Sequence, residues 1–158
     1  MHTSASSPAA TLAEELNIGN TLLQLLKTEQ ALLIDADVEG LSKATEEKAR
    51  LVAKMNELAQ RRHRSLEVAG FEASEAGMQA WIKCNKPGQQ VQQDWASLIE
   101  LARSAKELNR INGMLIGQHM ARAQNALNVL RGEQRGEQLY GPDGQATGTG
   151  GGRRLVIG

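Results

Sequence analysis

The side chains from which a metal centre, a nucleophile or a general base would be assembled are few in this sequence. The histidines are His2, His63 and His119, and the single cysteine is Cys84. A di-metal site in a helical bundle draws ligands from Glu-x-x-His pairs, because three positions bring both side chains to one helix face. Neither His63 nor His119 follows a glutamate at that spacing. Cys84 has no second cysteine and no histidine at zinc-ligand spacing, and a lone cysteine forms no internal disulfide. Glycines cluster at Gly148 to Gly152, but no Lys-Ser or Lys-Thr follows to complete a phosphate cradle. The residues therefore predict no enzyme, no metal and no cofactor, and His119, on a helical seam, is read as a hydrogen-bonded structural residue.

Other polar groups interrupt apolar stripes. Asn109 and Asn112 fall midway along a long apolar run, close to Arg110 and Gly113. Buried asparagines fix the register of a coiled bundle at a cost in stability, and a polar patch read by a partner helix is the other use of such a pair. Lys48 and Arg62 occupy seam positions of an earlier stripe. A long cationic stem lies along an apolar seam while its head reaches water, so both are expected at bundle edges. The cluster Arg61, Arg62, His63, Arg64 fans out around a helix axis and reads as a solvated face. Lys plus Arg and Asp plus Glu both total 18, so no net field draws the chain to nucleic acid or anionic lipid.

The elements that must position these residues are helices. Leu, Ala, Glu, Gln, Lys and Arg dominate, aromatics make up only 3%, and 41% apolar content over 158 residues suffices for one continuous core. Val91 to Leu130 contains no proline, and Val91, Trp95, Leu98, Ala102, Ala105, Ile116, Ala123, Ala126 and Leu130 recur three and four positions apart. Leu101, Leu108, Ile111 and Leu115 add a second stripe, a face wide enough for two partner helices. Such a helix would span roughly 60 Å, which predicts an elongated architecture. Upstream, Leu12, Leu16, Leu23, Leu26 and Leu33, beside Ile18, Leu22, Leu25 and Leu32, form a first helix, in which Gly19 leaves room for close packing. Asp37 caps a second helix carrying Leu41, Ala44, Leu51, Met55, Leu58, Ser65 and Ala69, which Gly70 ends. Ser74 caps a short helix with Met78, Trp81 and Ile82 before Lys86, Pro87 and Gly88 break the chain, and Trp81 is expected to plug the bundle end.

The ends read differently. Residues 1–10 are small and polar, a disordered leader. After Leu130 the motif Arg-Gly-Glu-Gln occurs twice in succession, each glycine weakens helix by about 1 kcal/mol, and the helix is expected to fray. Residues 132–158 read as a flexible, glycine-rich tail that nevertheless carries the apolar cluster Leu155, Val156, Ile157. The fold class is all-α: an elongated antiparallel bundle or coiled coil over residues 11–131, with three long helices, one short connecting helix and a flexible C-terminal tail. No apolar run approaches the ~20 residues of a membrane span, and a cytoplasmic protein that binds other helices is expected. The alternative is a structural coiled-coil or adaptor protein whose stripes make a homo-oligomer.

In this order the sequence resembles the FlgN family of bacterial flagellar type III export chaperones. The resemblance runs through Leu22, Leu23, Leu26, Glu29, Ala31 and Leu32, then Asp37, Leu41, Lys48 and Leu51, then Trp81, Trp95 and Leu98. It continues with Asn109, Asn112, Gly113, Leu127 and Leu130, and closes on Tyr140, Gly141, Pro142, Asp143 and Gly144. It covers roughly residues 12 to 145; the asparagine pair and the tyrosine-led turn are more specific than the leucine spacing. The resemblance implies a cytoplasmic chaperone for the hook-filament junction proteins FlgK and FlgL, whose terminal helices would be its clients. It further implies delivery to the export gate and ATPase, with client binding in the C-terminal region. By that analogy Tyr140, Leu155, Val156 and Ile157 join Asn109 and Asn112 as candidate partner contacts. The glycines at 148–152 depart from the helix-prone arm the resemblance would lead one to expect.

Overall fold

The computed structural model describes the backbone of residues 6–139 and the side chains of residues 6–132. Among the described residues there are four helices and no strand: α1 Leu12–Asp35, α2 Val38–Val68, α3 Glu75–Asn85 and α4 Gln89–Leu139. This is the all-α bundle of three long helices and one short connecting helix that the three-four periodicity predicts. The chain divides into two compact units, residues 1–115 and 116–158.

The breaks between helices are chemical. α1 closes on Ala36 in the left-handed region, where the Ala36 and Asp37 amides turn back to the carbonyls of Leu33 and Leu32. Asp37 then caps α2, its Oδ1 accepting from the Gly40 amide at 3.0 Å. With only two residues between them, α1 and α2 are antiparallel neighbours. Past the end of α2, Gly70 adopts φ +86°, a conformation that costs glycine nothing. Ser74 caps α3, accepting from the Gly77 amide at 3.0 Å. Both expected caps are therefore in place.

Across the first unit, α1 and α2 run antiparallel, with Glu15 against Arg62 and Glu29 against Lys48. α4 is antiparallel to α2, since Arg62 meets Trp95 and Lys48 meets Asn109. It is parallel to α1: a Cβ built on Gly19 would stand 2.5 Å from Leu101 Cδ2, and Leu26 meets Asn112. Gly19 thus lets a leucine of α4 approach the α1 backbone, as its place on the seam predicts. The core cluster contains Leu12, Leu66, Met78, Trp81, Trp95 and Leu98, so Trp81 of α3 is packed into the core. Of the expected leader, residues 6–10 are described. They form a turn in which the Ala10 amide bonds the Ser7 carbonyl, Pro8 is buried and Ala9 packs against the core.

One expectation gives way. The helix does not stop near residue 131; α4 continues through both Arg-Gly-Glu-Gln copies to Leu139. Propagating an existing helix adds one hydrogen bond per residue, and arginine, glutamate and glutamine are good helix formers that offset two glycines. The far end of the long apolar run faces solvent. From residue 116 to 132 every residue is exposed except the half-buried His119. No helix among the described residues is long and apolar enough to cross a membrane.

Candidate functional site

Two polar layers cross the first unit. In one, Arg62 Nε and Nη2 donate to Glu15 Oε2 and Oε1 at 3.1 and 3.2 Å, Thr11 Oγ1 donates to Oε2 at 2.9 Å, and the guanidinium carbon stands 5.0 Å from the centre of the Trp95 ring. Glu15 and Arg62 are both buried. Arg62 is therefore not the bundle-edge cation that its long stem suggested. Its head stays inside because a carboxylate on the neighbouring helix receives it in a forked pair and an aromatic face covers it.

In the other layer, Lys48 Nζ donates to Asn109 Oδ1 at 2.6 Å and to Glu29 Oε1 and Oε2 at 3.4 and 3.5 Å. Asn112 Nδ2 donates to the Leu26 carbonyl and to Glu29 Oε1, both at 2.9 Å. Lys48 is half-buried, so here the snorkelling reading holds for the stem but the head is paired. The structure brings the two candidate asparagines into one network. Asn109 remains exposed, whereas Asn112, expected as a candidate partner contact, is 1% exposed and turned inward. Its geometry is that of a register-fixing residue. Tyr140, Leu155, Val156 and Ile157 lie outside the described residues.

The layers are in phase. Glu15 and Glu29, Arg62 and Lys48, and Trp95 and Asn109 are each two heptads apart along their helices, so a slip of one turn would break both layers together. Glu15 escaped sequence reasoning, and Glu29 entered it only through the family resemblance, although both sit at three-four spacing with Leu12, Gly19, Leu26 and Leu33. Their matching separation to Arg62 and Lys48 was the available signal. Asn112 Oδ1 has no hydrogen-bond partner among the described residues. Asn112→Leu removes that unsatisfied oxygen together with its bonds and should change stability by no more than about 1 kcal/mol. Asn112→Asp sets a carboxylate against Glu29 and should cost about 3 kcal/mol or more, read as the shift in the urea midpoint. An aspartate variant as stable as the parent would contradict this account of the layer.

Of the histidines, His2 lies outside the described residues. His63 is half-buried on α2, Cys84 is exposed on α3 and His119 lies on α4. No group of three His, Cys, Asp or Glu among the described residues is placed to hold a metal.

What the second unit offers is an apolar helix face. Ile116, Met120, Ala123, Leu127 and Leu130 follow each other at spacings of four, three, four and three, so they form one stripe. The large side chains on it are open to solvent, Ile116 at 43%, Met120 at 69%, Leu127 at 49% and Leu130 at 56%. Isolated exposed leucines are ordinary, but a sustained heptad of them is the surface a coiled-coil partner covers.

Fold and face together define a class: an all-helical protein with a heptad stripe of α4 open to solvent among the described residues. The comparisons with known proteins narrow it. The FlgN protein family model matches residues 1–148, and the chain belongs to that family. It is 30% identical over 139 residues to the flagella synthesis protein FlgN of Yersinia enterocolitica, an alignment covering 87% of each chain. The FlgN of Proteus mirabilis is 30% identical over 138 residues, 86% of this chain and 87% of the relative. That of Salmonella typhimurium is 32% identical over 142 residues, 86% and 90%. No solved structure matches. Membership of this family supports a flagellar chaperone role.

Proposed function

We propose that this protein is a cytoplasmic export chaperone that covers the amphipathic terminal helices of the hook-filament junction proteins FlgK and FlgL and delivers them to the flagellar export gate and ATPase. The observation that carries the reading is the exposed stripe from Ile116 to Leu130 on α4. A junction-protein helix with its apolar side unpaired is prone to aggregate or assemble prematurely, and a heptad stripe on a stable scaffold covers it without chemistry. The family is not one of known enzymes, which fits a role needing no cofactor. Tyr140 and Leu155 to Ile157 are candidate additional contacts, and exposed Asn109 a further one. Ordering a glycine-rich segment on binding costs conformational entropy, which keeps affinity moderate and release feasible.

The test is titration calorimetry of the intact chain against terminal-helix segments of FlgK and FlgL from the same bacterium. Saturable binding of at least one, weakened by deleting residues 141–158, is expected. A folded chain that binds neither overturns the reading. The same heptad stripe also suits self-association, so light scattering at the titration concentrations decides between the two: a tight oligomer that excludes both segments supports a structural coiled coil instead.

A further inference from the structure

The α4 stripe is complementary to itself. In heptad terms Met120 and Leu127 take a positions, Ile116, Ala123 and Leu130 take d positions, and Gln134 is the next a. In an antiparallel pair of helices the a residues of one pack on the d residues of the other. Two copies related by a twofold axis level with Asn125 would therefore set Met120 on Leu130 and Ala123 on Leu127, each contact being made twice. The small residue of the stripe thus meets a long one. A parallel copy faces Ala123 with Ala123 and leaves the middle layer unfilled, where the missing atoms forfeit dispersion contacts. Charge permits the antiparallel arrangement. Residues 111–121 contain no Asp, Glu, Lys or Arg, so Arg131, Glu133, Arg135 and Glu137 of one copy would lie along an uncharged stretch of the other. Arg131 would face Gly117, which has no side chain to oppose it, and Arg122 lies about 120° from the centre of the stripe, clear of the contact.

We propose that in the free protein this face is covered by a second copy of the chain, in an antiparallel dimer that a client helix must displace. The dimer stands on the stripe alone; the displacement rests on the chaperone reading above and adds its regulation. The other occupant within the chain, Leu155 to Ile157, offers three consecutive apolar residues and cannot fill a stripe that runs from Ile116 to Leu130. A contact over residues 116–134 is roughly 28 Å long, in the size class of transient interfaces that bury under about 1,200 Å². The dimer is therefore reversible. A stripe closed on its own copy is withheld from unspecific association, yet opens to a helix that binds it more tightly.

Sedimentation velocity of the intact chain over a dilution series tests the dimer. A reversible monomer–dimer equilibrium is expected, with a dissociation constant on the order of 10 μM. Leu127→Glu should weaken it by at least about tenfold with helical circular dichroism unchanged, because Leu127 is open to solvent on the helix. Met120→Cys and Leu130→Cys, each combined with Cys84→Ser, report the direction. Mixed and mildly oxidised, the two variants should join to one another, whereas neither should join to itself, since like positions would stand roughly 15 Å apart along the axis. A chain that stays monomeric up to about 1 mM overturns the proposal, while the FlgK and FlgL titrations judge the chaperone reading separately. Disulfides formed within each variant alone overturn the antiparallel direction. A binding FlgK or FlgL segment should lower the dimer fraction, and a dimer that persists with the segment bound overturns the displacement. Segments that fail to bind a dimeric chain overturn the chaperone reading and the displacement with it.

Discussion

Replacing Arg62 with alanine is expected to destabilise the first unit by about 3–5 kcal/mol, among the largest losses for any single substitution here. The carboxylate of Glu15 would be left buried with only the Thr11 hydroxyl, and the loss of a guanidinium packed on Trp95 would add an unfilled volume between α2 and α4. Removing both charges at once should behave differently. Glu15→Leu with Arg62→Met deletes the stranded anion together with its partner, and most of the lost stability should return. Guanidinium denaturation followed by circular dichroism gives both values, and tryptophan emission in a Trp81→Phe background reports on the surroundings of Trp95. A loss below about 1 kcal/mol for Arg62→Ala would show that the pair is open to water, and the ordering role given to this layer would fall.

The same pair shows why sequence reading reached the helices sooner than their contacts. Three-four periodicity depends on one helix at a time, so α1, α2, α3 and the body of α4 were legible, as were the caps Asp37 and Ser74. Whether a charge on a seam points outward depends on a second helix, and nothing within α2 reveals that Glu15 waits opposite Arg62. The clue lay in comparing stripes: two acids on α1 and two bases on α2, each separated by fourteen positions, can pair in antiparallel helices at a single register. Asn112 was legible as a polar interruption, but its burial against Leu26 and Glu29 was not, because that depends on α1. Periodicity likewise groups Ile116, Met120, Leu127 and Leu130 on one face but is silent on whether anything covers them.

Exposure of that face yields the second large effect. Met120→Ala together with Leu127→Ala should weaken binding of a FlgK or FlgL terminal helix by about a hundredfold, since truncating two central anchors of a helix interface removes roughly 2–4 kcal/mol. Stability should barely move, within about 0.5 kcal/mol, because both side chains are already open to solvent and alanine is the best helix former. Leu58→Ala provides the opposite pattern. Leu58 is fully buried, so its truncation should cost about 2–5 kcal/mol and impair binding only where the bundle unfolds. Thermal melts and calorimetric titrations of the same preparations separate the two. If the double alanine variant binds its client as tightly as the parent, the helix lies elsewhere on the molecule, however inviting the stripe on α4.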